Sequence, residues 1–152
     1  MANELKHRRG RAYTLVREPH VVDEKEPDIR LQSNATDASM PIEIKVAESW
    51  TLAQLEHALT GQLAGRYLRE KDKRHGVLLL VHQAARDRGW QGGAGSYLTF
   101  AQVVDHLKVM AREIESRGAD ASRAEIAVID VSDIAIAPVG KREGKHGRAT
   151  KA

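Results

Sequence analysis

Asp28-Ile29-Arg30-Leu31-Gln32 and Ile42-Glu43-Ile44-Lys45-Val46 both alternate polar and apolar residues without a break. Such alternation is the mark of a half-buried strand, because successive side chains leave the backbone on opposite faces. The stretch between them, Ser33-Asn34-Ala35-Thr36-Asp37-Ala38-Ser39, is rich in side chains that turn the chain by bonding their own backbone. The two strands therefore read as a hairpin. A turn centred between Ala35 and Thr36 sets Asp28 opposite Glu43, with Lys45 two residues along the same face.

Working outward, Ala12 to Val22 holds strand-forming residues interrupted by Pro19, which suits an edge strand. Downstream, Thr51 stands three residues before Gln54, the spacing of a capping box. Leu52, Leu55, Leu59 and Leu63 follow at helical intervals, predicting a helix from Leu52 to Lys71. The apolar run Gly76 to Val81 reads as a central strand buried on both faces. Gly89, Gly92, Gly93 and Gly95 mark a mobile loop. Thr99 and Gln102 repeat the capping spacing ahead of a second amphipathic helix, ending at Gly118, and Ala124 to Val131 forms a last strand. The order is three strands, helix, strand, helix, strand. This is an α/β chain with a mixed central β-sheet flanked by helices.

Composition narrows the function. The 152 residues suit one domain, expected over 12–139. The absence of cysteine excludes disulfides, a thiol nucleophile and thiolate metal sites, leaving oxygen or histidine ligands for any metal. No apolar run is long enough to span a bilayer and no leader-like segment opens the chain, so the expectation is a cytoplasmic protein without a membrane partner. The net charge of +3 is uneven. Lys6, Arg8, Arg9 and Arg11 make the 1–11 tail basic. Lys141, Arg142, Lys145, Arg148 and Lys151 do the same for a flexible tail over 140–152, while the stretch between is acidic overall. Basic tails can hold a polyanion, or simply aid solubility. The histidines lack HExxH spacing, and there is no GxxxxGK[ST] loop, so neither a zinc hydrolase nor an ATPase finds support.

Two carboxylates facing each other across a hairpin can hold one hard cation such as magnesium, and a lysine beside them can orient a nucleophile or stabilise charge in a transition state. Those are the parts of a phosphodiester hydrolase. The plainer alternative is a solvated cross-strand group of charges. Pro27-Asp28 followed by Glu43-Ile44-Lys45 resembles the signature of the PD-(D/E)xK nuclease superfamily, with its restriction-endonuclease-like core, and the order of elements over roughly residues 20–83 matches as well. The resemblance implies that Asp28 and Glu43 bind Mg2+, which Mn2+ can replace, and that Lys45 assists the attacking water. It implies a metal-dependent nuclease acting on nucleic acid, DNA in the first place.

Relatives in DNA-repair helicase–nucleases add a glutamine and a tyrosine on the next helix. Gln62 and Tyr67 resemble that pair but stand five apart, where the usual spacing is four. The first helix of that fold is also not evident in residues 1–12: either it is replaced, or the chain is the C-terminal domain of a larger host protein, and Glu18 is a candidate stand-in for the missing acid, with a structural or exposed role as its alternative. Asp37 rivals Asp28 as a ligand, with a turn role as its alternative.

Arg66, Arg69, Lys73 and Arg74 are candidate nucleic-acid contacts, or cations that favour a helix C-terminus. Trp50 is a candidate anchor for the start of the first helix. Trp90 could stack on an unpaired base or pack in the core. His75 and His82 read as the ends of the apolar strand, and Asp130 and Asp133 are candidates for nothing specific. The competing functional readings are a catalytically inactive binding module of the same fold, and a domain that forms a homodimer through its leucine-rich helix.

Overall fold

The computed structural model of the chain describes residues 12–16, 26–69, 73–117 and 122–133. Glu18, Lys71 and the two basic tails lie outside them. Five strands build a mixed sheet: β1 (Tyr13–Val16), β2 (Ile29–Ser33), β3 (Ser39–Val46), β4 (His75–His82) and β7 (Arg123–Asp130), in the order β1-β2-β3-β4-β7. β1, β2 and β3 pair antiparallel; β3, β4 and β7 run parallel. β1 is the edge strand that Tyr13 and Leu15 suggest. The hairpin adopts the expected register, Ile29 opposite Ile42 and Leu31 opposite Met40, so that Asp28, one residue before the ladder, falls opposite Glu43.

The helices cover one face of the sheet. α1 (Leu52–His57) begins at a complete capping box, in which Thr51 Oγ1 accepts from the Gln54 N–H and the Gln54 side chain accepts from the Thr51 N–H. Instead of continuing as α-helix, the chain widens into a π-helical stretch, Ala58–Ala64, and tightens into a 3-10 turn, Tyr67–Arg69. α2 (Phe100–Arg117) opens on the second capping box, between Thr99 and Gln102. Leu55, Leu59 and Leu63 from the first helical segment meet Val103 and Leu107 of α2 over Leu78 and Leu80, all fully buried.

β4 is interior to the sheet, but it is not buried on both faces. Leu78 and Leu80 are enclosed while Val77, Leu79 and Val81 are only half-buried, because the described helices lie on one side. The glycine-rich stretch is likewise not a loose loop. It folds into a small hairpin of β5 (Trp90–Gln91) and β6 (Tyr97–Leu98). Gly89 enters it at φ +69°, where a Cβ would run into the Leu98 carbonyl, so glycine is required there.

Candidate functional site

Glu43 and Lys45 sit on the helix-covered face of β3, level with Leu78 and Leu80 of β4. They are 5% and 8% exposed, which excludes the solvated cross-strand group as a description of this hairpin. Lys45 Nζ donates to Glu43 Oε1 over 2.6 Å and stands 4.4 Å from the centre of the Trp50 ring, a cation–π contact. Glu43 Oε2 is buried with no hydrogen-bond partner among the described residues. Burial pushes the Glu43 carboxyl above its ordinary 4.5, Lys45 opposes this, Asp28 adds to it and Arg66 opposes it.

Asp28 is half-buried, and its Oδ2 accepts from the Ile44 N–H over 2.7 Å, which ties the start of β2 to the second half of β3. Asp37, the rival ligand, is exposed in the hairpin turn, where its carbonyl accepts from Gln32. Of the two candidate aspartates, Asp28 is the one whose charge reaches Glu43. Among the described residues, no group of three His, Asp or Glu side chains converges to hold a metal. Magnesium commonly uses one or two carboxylates and keeps several waters. The unpartnered Oε2 of Glu43 beside the Asp28 charge suits that kind of ligation.

Tyr67 joins this site from the helical side. It is 6% exposed, its side chain is hydrogen-bonded to Arg66, and burial together with the Glu43 charge pushes its phenol up to about 12. The chain between Gln62 and Tyr67 does not run as a regular α-helix. A π-helical stretch makes wider turns than an α-helix and accommodates one more residue, and here it runs from Ala58 to Ala64, with the Gly65 N–H reaching back to the Thr60 carbonyl. Gln62 lies inside this stretch, its Oε1 buried without a hydrogen-bond partner among the described residues.

Of the four basic residues expected to touch nucleic acid, Arg66 comes to the carboxylates and Tyr67. Arg69 is exposed beyond it, Lys73 is half-buried ahead of β4, and Arg74 lines a separate cavity with Asp37, Ser39 and Met40 at the hairpin end of the sheet.

His82 and Asp130 form a pair that the sequence does not suggest. They face each other in the parallel β4–β7 register, with His82 Nδ1 3.2 Å from Asp130 Oδ1. The His82 ring is buried, stacked 4.1 Å from Phe100. Its visible signal is only the position of each residue at a strand end, which becomes informative once the two strands are known to be neighbours. Trp90 is 2% exposed, and its Nε1 donates to the carbonyls of Ala47 and Trp50. It is a core residue, and base stacking by Trp90 is excluded by its burial.

Compared with models of known protein families, with curated proteins and with solved structures, the chain matches none. Its α/β class rests on its own mixed sheet and helices. No described helix is long and apolar enough to cross a membrane.

Proposed function

We propose that this protein is a metal-dependent nuclease that hydrolyses phosphodiester bonds, in DNA in the first place, at Asp28, Glu43 and Lys45. The observation that carries the reading is the buried Glu43 carboxylate, held through Oε1 by Lys45 and leaving Oε2 without a partner next to Asp28. Burying a charged group is costly unless it is paired and hydrogen-bonded; Lys45 meets Oε1, and a bound cation would meet Oε2. Asp28 and Glu43 would hold Mg2+ or Mn2+, which supplies activation of a bound water and charge neutralisation at the phosphate. Lys45 donates one N–H to Glu43, and an ammonium has two more with which to orient the attacking water or steady the pentavalent phosphorus. Arg66 brings a further positive charge, and Tyr67 a phenol that stays protonated at neutral pH.

The closing of Glu43 and Lys45 from solvent, and the meeting of just two carboxylates among the described residues, favour a second reading: a module of the same core that binds without cleaving. Titration of magnesium or manganese against linear and circular DNA separates the two. Asp28→Asn is the informative control, because the amide oxygen can still accept from the Ile44 N–H while the charge is lost. Metal-dependent cleavage that falls by about a hundredfold or more in Asp28→Asn and in Lys45→Ala supports the nuclease, since even loss of a ligand's supporting partner costs 10–100-fold in such sites. Cleavage that survives both substitutions, or never occurs with either metal, overturns it.

A further inference from the structure

A cavity of about 780 Å³ opens between the start of α1 and the β5–β6 hairpin. Trp50 links it to the carboxylate site. Its ring lies against Lys45, and its carbonyl accepts from both Trp90 Nε1, at 3.0 Å, and Arg86 Nη1, at 3.2 Å. Buried Trp90 forms part of the cavity wall, and the Arg86 guanidinium stands 5.1 Å from its ring centre. The aromatic available to a ligand is instead Tyr97, 52% exposed at the cavity's edge and held by its pairing with Gln91. Arg86 and exposed Arg88 outweigh Asp87 on the same rim.

We propose that this cavity holds one nucleotide of an unpaired strand, the base stacked on Tyr97 and the phosphate drawn to Arg88 and Arg86. The volume falls in the range of small-ligand sites. An exposed aromatic on a small anchored hairpin, flanked by guanidinium groups, combines the two features that bind single strands: a stacking face and a cationic path for the backbone. A duplex keeps its bases stacked on each other and offers Tyr97 nothing to bind. The proposal deepens the nuclease reading and rests on it, Trp50 being the residue that touches both Lys45 and the cavity wall at Trp90.

The test is fluorescence anisotropy of a short labelled oligothymidylate and of a matching duplex, with EDTA present so that no cleavage enters. The oligothymidylate should bind the full chain, and Tyr97→Ala should weaken it about five- to hundredfold, the loss of one stacked base. Tyr97→Phe, which keeps the ring and checks the fold, should bind as the parent does. Arg88→Ala should reduce the steepness of the salt dependence by about 0.7, one phosphate's share for a single strand. Duplex binding should be indifferent to Tyr97. If the oligothymidylate does not bind, or Tyr97→Ala and Arg88→Ala leave its affinity and salt dependence unchanged, the proposal is overturned. Cleavage that persists in that case leaves the nuclease reading standing. Tyr97-dependent binding without metal-dependent cleavage overturns the nuclease reading alone.

Discussion

Lys45 and Glu43 are each tolerable inside the protein because of the other. Removing one partner of a buried ion pair leaves an uncompensated charge, which costs about 3–5 kcal/mol, whereas replacing both with apolar groups of similar volume is often neutral or stabilising. Lys45→Ala should therefore lower stability by about that amount in urea unfolding, and Glu43→Leu combined with Lys45→Met should recover most of it while removing the carboxylate proposed to hold a metal. The raised proton affinity of Glu43 sets a pH dependence of definite sign. The folded state binds this proton more tightly than the unfolded one, so stability falls as pH rises from the ordinary 4.5 through the folded value and stays lower above it. Asp130 works the other way. Hydrogen bonds from the Ser132 backbone and side chain hold its carboxyl below the ordinary 3.8, so its contribution is present above that value and is lost as pH falls through the folded one. Urea midpoints across the acidic range should lose the first component in Glu43→Gln and the second in Asp130→Asn.

At the scale of the element, the π-helical stretch is the feature that most alters the reading of the sequence. Its backbone comes so close at Gly65 that a Cβ would lie 2.8 Å from the Thr60 carbonyl oxygen. At Gly61 a Cβ would meet only the ring of exposed His57, which can swing aside. Helix propensity alone favours alanine over glycine by about 1 kcal/mol at both positions. Gly61→Ala should be neutral or stabilising by up to that amount, whereas Gly65→Ala should destabilise by about 1–3 kcal/mol through overpacking against backbone. Thermal unfolding of the two variants side by side checks the opposite signs. Tyr67 lies two residues beyond Gly65, so Gly65→Ala should also weaken whatever the Tyr67–Arg66 pair contributes at the carboxylates.

For the whole molecule, a cation bound between two elements is a stability term shared by the fold. Asp28 precedes β2 and Glu43 lies in β3, while Tyr67 and Arg66 approach from the helical layer. A ligand that binds only the folded chain adds RT ln(1 + [L]/Kd), about 2.7 kcal/mol at a hundred times Kd. Magnesium should accordingly raise the melting temperature in a concentration-dependent way, EDTA should reverse the rise, and Asp28→Asn should remove the dependence. A melting temperature indifferent to magnesium and manganese would count against a metal site at this place.

The order of strands and helices, the hairpin register and both capping boxes were legible in the sequence, because each depends on residues a few positions apart. Alternation sets the faces of β2 and β3, turn residues centre the hairpin, and Thr51 with Gln54 starts α1. Asp28, Glu43 and Lys45 could be placed on one face by the same local arithmetic. Burial could not, because it depends on what is laid over that face. Only the tertiary structure closes Glu43 and Lys45 beneath the helical layer, brings Tyr67 and Arg66 to them through a π-helical stretch, and pairs His82 with Asp130 across two strands far apart in the chain. It also decides between the two readings of Trp90, burying its ring in the core. Side-chain periodicity records which way a residue points, but only long-range packing decides whether water or protein meets it there.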